Sequence, residues 1–209
     1  MPITFFILYA LLIAFAIYYG WNYKKIRGRR GEKKVSSILM KLPDDYFLFD
    51  DVYLTSATHS SQIDHVVIST RGIFVIETKN MKGWIYGSPN ADYWTKNMYG
   101  NKYYFYNPMK QNLSHVLALK SVLGVSHDKF IPLVVFLDCA TLKSRYYGQV
   151  LYASELLDYI LGFKNQYFTD DEVKELVTRL SLANNTDEET RKEHVKSVKF
   201  IKNYRGRSY

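Results

Sequence analysis

The sequence predicts an α/β (α+β) protein: a mixed central sheet flanked by helices and preceded by one transmembrane helix. Three observations predict it. Two runs rich in β-branched and aromatic residues, Gln62-Ile63-Asp64-His65-Val66-Val67-Ile68-Ser69 and Gly72-Ile73-Phe74-Val75-Ile76-Glu77-Thr78-Lys79, meet at Thr70-Arg71-Gly72, which reads as a tight turn. Helical spacing appears on both sides of that hairpin, with apolar Val35, Ile38, Leu39 and Leu42 before it and Leu113, Val116, Leu117 and Lys120 after it. Residues 2–19 carry no charge at all.

That uncharged stretch is dominated by Ile, Leu and Phe, and at about 1.5 Å per residue it spans about 27 Å, enough for a bilayer core. Tyr18, Tyr19, Trp21 and Tyr23 form an aromatic belt at its end. Lys24, Lys25, Arg27, Arg29, Arg30, Lys33 and Lys34 follow, offset by Glu32. Positive charge at this end holds it in the cytoplasm, so the expected topology is single-pass in a bacterial cell membrane, N-terminus outside and soluble domain inside. A secretory signal peptide is the rival. Ala14-Phe15-Ala16 offers a cleavage site, but no Lys or Arg precedes the apolar run. The expected organisation is an anchor over residues 1–21, a basic juxtamembrane linker over 22–30, the main domain over 31–182 and a basic helix or tail over 183–209.

In the main domain, residues 31–42 read as an amphipathic helix stopped by Pro43, with Glu32 on the edge of its inward face. In a strand, side chains alternate faces, so Glu77 and Lys79 share one face and the hairpin can bring Asp64 beside them. Two carboxylates and an ammonium at one sheet edge form a costly group unless something is bound there. A hard divalent cation, with a phosphate and an attacking water, suits it. The plainer alternatives are a surface ion pair at a strand end and, for Glu32, a first-turn acid complementing the helix dipole.

Downstream, Tyr99-Gly100-Asn101-Lys102 reads as a turn between two aromatic strands, and packing is the default role for Tyr93, Tyr99, Tyr103, Tyr104 and Tyr106. Asn107 can cap the next helix with Pro108 at its first position and Gln111 in its first turn. Residues 131–137 read as a buried strand, 150–153 as a short one and 154–161 as a helix. Thr169-Asp170-Asp171-Glu172 caps a further helix carrying Val173, Leu176, Val177 and Leu180.

The ordered set Gly31-Glu32, Gln62-Ile63-Asp64-His65, Gly72-Ile73-Phe74-Val75-Ile76-Glu77-Thr78-Lys79-Asn80, Lys82-Gly83-Trp84-Ile85 and Asn107-Pro108-Met109-Lys110-Gln111 resembles the nuclease-related domain, NERD, over about residues 27–142. The resemblance implies the PD-(D/E)xK phosphodiesterase superfamily and a restriction-endonuclease-like core. It implies that Asp64 and Glu77 ligate a divalent metal, Mg²⁺ or Mn²⁺, that Lys79 orients or activates the hydrolytic water, and that Glu32 and Gln111 complete the pocket. Gln62 stands where the family often has an acid, and Ile63 stands in place of the superfamily's Pro.

Composition narrows the rest. The single Cys139 excludes an internal disulfide, and it is expected at a buried strand end. The histidines, His59, His65, His115, His127 and His194, show no metal-ligand pair, and His65 is expected on the face opposite Asp64. Net charge is +8, from the juxtamembrane cluster and from a C-terminal group that includes Arg191, Lys196 and Lys202. Such charge suits anionic lipid or a nucleic-acid backbone. Three classes follow: a membrane-tethered metal-dependent nuclease acting on nucleic acid, DNA ahead of RNA; a catalytically weak or inactive nucleic-acid-binding module; and a membrane scaffold for protein partners.

Overall fold

The computed structural model describes residues 3–55, 60–144 and 148–184. The C-terminal basic group and the helix expected from Thr186 lie outside the described residues. In chain order the elements are α1 (Ile3–Leu39), β1 (Phe47–Thr55), β2 (Ser60–Ser69), β3 (Gly72–Lys79), β4 (Gly83–Tyr86), β5 (Tyr93–Met98), β6 (Asn101–Tyr106), α2 (Pro108–Leu123), β7 (Phe130–Phe136), β8 (Ala140–Leu142), β9 (Val150–Tyr152), α3 (Leu156–Gly162) and α4 (Asp170–Ala183).

Five strands form a mixed sheet in the order β1-β2-β3-β7-β9. The first three run antiparallel, while β7 and β9 join parallel to β3. Central β3 is buried along its length except at Lys79. Its alternation divides the core: Val66, Ile68, Ile73 and Val75 pack under α2 and α4, and Val67, Phe74 and Ile76 pack under α1 and α3. A second sheet, β6-β5-β4-β8, joins the first through a third cluster built on Trp94, Ile85 and Phe136.

Several expectations need correction. The helix expected from residue 31 begins at Ile3, so the apolar run and the first domain helix are one continuous element ending at Leu39. Among the described residues no single helix is long and apolar enough to cross a membrane. Phe5–Gly20 and Lys25–Leu39 reach that measure only together, bent by 57°. On α2, Leu113 and Leu117 point outward, and Asn112, His115, Val116 and Leu119 face the sheet instead. Asn112 is held inside through its amide nitrogen, which donates to the Val75 carbonyl at 2.9 Å and the Leu133 carbonyl at 3.0 Å, while its Oδ1 is buried without a partner among the described residues. Cys139 is exposed in the turn after β7, its thiol donating to the Met81 carbonyl at 3.2 Å.

The cap ahead of α2 ties the two sheets together. Asn107 is fully buried; its Oδ1 accepts from Met109 N–H at 2.9 Å while its Nδ2 donates to the carbonyls of Ser88, Pro89 and Ala91. Asn107→Ala removes the cap and leaves those carbonyls without their donor. It should cost about 2–3 kcal/mol and lower Tm by about 5–10 °C in a thermal melt; an unchanged Tm would show that the bonds contribute nothing net.

Candidate active site

The β2–β3 ladder is continuous from Ser69↔Gly72 to His65↔Ile76 and stops there. The next residues to face one another are Asp64 and Glu77. Instead of a backbone bond, Thr78 N–H donates to Asp64 Oδ2 at 2.8 Å, so a side chain closes the sheet where pairing ends.

Glu77 is 3% exposed and accepts from three sides. Lys79 Nζ lies 2.5 Å and Gln111 Nε2 2.9 Å from its Oε1; His115 Nε2 lies 3.1 Å from its Oε2. Lys79 also donates to Gln111 Oε1 at 3.0 Å, closing a triangle, and His115 Nδ1 meets Ser61 Oγ at 2.8 Å. Gln111 and His115 are one helical turn apart, so both face β3. Burial alone would raise the Glu77 carboxyl, but Lys79 and His115 outweigh it and hold the pKa down to about 2.

Asp64 goes the other way. Burial, then the Glu77 charge and more weakly Glu32, raise it well above the usual carboxylate range, against the Thr78 bond and Lys79. One acid is thus held ionised and its cross-strand neighbour favours its proton.

Glu32 arrives from the opposite face of the sheet. A Cβ on Gly31 would fall 2.7 Å from that of Asn80, and Asn80 Nδ2 donates to the Arg27 carbonyl at 2.8 Å, so α1 docks directly on the chain leaving β3. Glu32 then lines an open cleft of about 600 Å³ with Arg29, Arg30, Asp51, Asp64 and His65. Burial raises its pKa, with Asp51 and Glu77 adding to the rise and His65 opposing. Among the described residues no hydrogen bond joins Glu32 to the other candidates. The structure therefore links Glu77, Lys79 and Gln111 directly, sets Asp64 across from Glu77, and brings Glu32 to the cleft that Asp64 lines.

Sequence reasoning missed two features of this cleft. Asp51 lies opposite Asp64 on β1 in the left-handed region (φ 54°), a conformation costly for a residue with a Cβ and recurrent at functional sites. His65 faces α1, as alternation requires; its Nδ1 is 2.6 Å from Asp50 Oδ1, and Ser36 Oγ donates to Asp50 Oδ2 at 2.5 Å. Burial would raise Asp50, but those bonds together pull it down. His65 Nε2 is buried without a partner among the described residues, beside the same cleft.

The donor set suits a hard cation: carboxylate oxygens that disfavour one another's charge, and an Asp64 with one oxygen uncommitted. Among the described residues, however, no three His, Cys, Asp or Glu side chains are grouped closely enough to hold an ion as they stand.

Residues 27–137 match the nuclease-related domain family, NERD. The chain belongs to that family. An uncharacterized protein of Bacillus anthracis is 34% identical over 208 residues, covering 94% of this chain and 96% of that protein. Can2 from Sulfobacillus thermosulfidooxidans, solved in complex with cyclic tetra-adenylate, aligns at 18% identity with a TM-score of 0.38, over 65% of this chain and 35% of that one; a likeness so distant carries no functional argument. The NERD match spans α1 from Arg27 through β7, and so includes Glu32, Asp64, Glu77, Lys79 and Gln111.

The two acids carry opposite pH signatures. Glu77 is depressed in the fold, so its contribution to stability is full above its unfolded value near 4.5 and is lost as pH falls toward about 2. Asp64 is raised, so it stabilises only below its unfolded value near 3.8, and this is lost as pH rises through the raised value. Asp64→Asn keeps an acceptor for Thr78 and should raise Tm in EDTA near neutral pH by a few degrees, about 1 kcal/mol, a gain that shrinks toward about pH 4. Glu77→Gln should cost about 3 kcal/mol by leaving Lys79 buried without its counter-ion. Scanning fluorimetry at both pH values reads these signs, and a destabilised Asp64→Asn would refute them.

Proposed function

We propose that this NERD protein is a membrane-anchored, divalent-metal-dependent nuclease that hydrolyses phosphodiester bonds in nucleic acid, DNA ahead of RNA, on a restriction-endonuclease-like core. The observation that carries the reading is Asp64 facing Glu77 with Lys79 locked to both Glu77 and Gln111. A lysine serving only as counter-ion would not need a second, neutral partner to fix its position.

In this reading Asp64 and Glu77 hold Mg²⁺ or Mn²⁺, with Glu32 closing the cleft from α1. When bound, the cation supplies Lewis-acid polarisation of the phosphate and a more acidic water. Asp64 must lose its proton to become a ligand, so cation binding strengthens as pH rises. The Glu77 carboxylate stays ionised at any physiological pH because Lys79 and His115 hold it so. Lys79 spends two of its three N–H bonds on Glu77 and Gln111, and the third can orient the attacking water or the phosphoryl oxygen. Arg29, Arg30 and Lys33 at the cleft rim attract the phosphate backbone.

The anchor reading rests on side chains such as Phe5, Phe6, Leu8, Leu11, Leu12 and Phe15, all exposed and with no polar face between them. With the basic turns that follow, this supports an N-terminus outside and a domain in the cytoplasm of a bacterial cell. Protease added to intact cells should spare the domain, and high salt should leave the protein in the membrane pellet. A mature form beginning near Ile17 in the medium would mean secretion.

One observation favours a second reading, a binding module without catalysis: the Glu77 oxygens already accept from three partners, so ligation requires one to yield. Full-length protein in detergent, given labelled DNA and RNA with Mg²⁺, Mn²⁺ or EDTA, decides between them. Cleavage should require the metal. Asp64→Ala, Glu77→Ala and Lys79→Ala should each reduce it by about a hundredfold or more, with metal binding kept only in Lys79→Ala. Equal cleavage by all three variants would mean that the site is elsewhere.

A further inference from the structure

The second sheet buries one face, and among the described residues the other is left uncovered. Its register sends Ile85, Trp94, Phe105 and Leu142 inward to the third core cluster. The alternate positions share the outer face: Trp84 and Tyr86 on β4, Tyr93 on β5, and Tyr104 and Tyr106 on β6. All five are exposed, Trp84 by 50% and Tyr104 by 73%. Scattered surface aromatics are ordinary; five on one open sheet face are a surface that something covers.

The polar residues of that face say what. Thr95, Asn97 and Lys102 alternate with the rings, and Lys143 Nζ lies 4.5 Å above the Trp84 ring. None of the four strands contains an Asp or Glu. Flat π-faces interleaved with cations and free of anions fit unpaired bases joined by phosphates. A duplex would hide its base faces from such a surface.

The face also leads to the candidate active site. A cleft of about 630 Å³ beside Trp84 and Asn97 shares Lys82 and Cys139 with a second cleft lined by Arg27, Arg30 and Lys34. That cleft in turn shares Ile26 and Arg30 with the one containing Glu32 and Asp64. The three clefts therefore adjoin, the middle one lined by Arg27, Arg30 and Lys34 together with Asp138, and the short chain Asn80-Met81-Lys82 joins the strand bearing Lys79 to the sheet bearing Trp84.

We propose that the outer face of the second sheet is a stacking platform for single-stranded nucleic acid, and that the strand runs from it past Lys82 and Arg30 toward Asp64. The route rests on the nuclease reading; the binding does not.

Full-length protein in detergent with EDTA, titrated against a fluorescein-labelled mixed-sequence single strand and the matching duplex, tests this by anisotropy. The single strand should bind more tightly. Trp84→Ala and Tyr104→Ala should each weaken it by about five- to a hundredfold with unchanged melting, and Trp84→Phe and Tyr104→Phe should recover most of the loss. Parental affinity in both Ala variants, or tighter binding of the duplex, overturns the platform. So does a loss confined to phosphatidylglycerol vesicles, which would make the face a lipid contact. The two readings fail separately. Ring-dependent binding without metal-dependent cleavage sinks the nuclease alone, and single-strand cleavage at parental rate and KM in both Ala variants sinks the platform alone.

Discussion

Two acids placed opposite each other on adjacent strands are the constraint around which this domain is arranged. Like charges in that relation destabilise a sheet, and at Asp64 and Glu77 the ladder does end. Breaking the symmetry lets the protein keep both. Glu77 turns to the α2 side and is surrounded by Lys79, Gln111 and His115, while Asp64 stays at the cleft and takes a backbone N–H that would otherwise lack a partner. The end of β-pairing and the opening of the cleft are therefore one event.

The flanking helices then have set tasks. α2 must carry polar residues inward, and Gln111, Asn112 and His115 occupy positions that an ordinary amphipathic helix would fill with Leu. α1 must come close to β3 on the other face, and the absence of a side chain at Gly31 against Asn80 allows it. Without that approach Glu32 would have no reason to feel Glu77 and Asp51. The continuity of α1 also ties the apolar N-terminal limb to the helix that bears Glu32.

What could be read in advance follows from how local each signal is. The β2–β3 hairpin, the Asn107 cap with Pro108, and the Thr169–Glu172 capping box are short-range chemistry, and each stands where expected. So does the proximity of Lys79, Glu77 and Gln111. β1 was not anticipated because Asp50-Asp51 interrupts its apolar pattern; both acids have partners in three dimensions, His65 with Ser36 and Gln62 respectively. The spacing of Leu113, Val116 and Leu117 marks α2 as a helix but not its buried face, which is fixed by strand carbonyls and a carboxylate that no periodicity displays. β8 is three residues long and exists only because β4 accepts it.

The distribution of charge gives the domain its remaining logic. Net positive charge draws a polyanion in from a distance, and Arg29, Arg30 and Lys33 carry that attraction to the cleft rim. The cleft interior is opposite in sign, with Glu32, Asp51 and Asp64 lining it and Glu77 ionised behind them. On the proposed reading, a phosphodiester would be attracted to the mouth and repelled at the floor, and would settle against Asp64 only with that floor neutralised. Protonation of Asp64 would do part of this at the cost of its charge; the proposed divalent cation would do it while keeping the carboxylate ionised. The same charge pattern would make entry conditional, and it sets an acid with a raised pKa beside one with a depressed pKa.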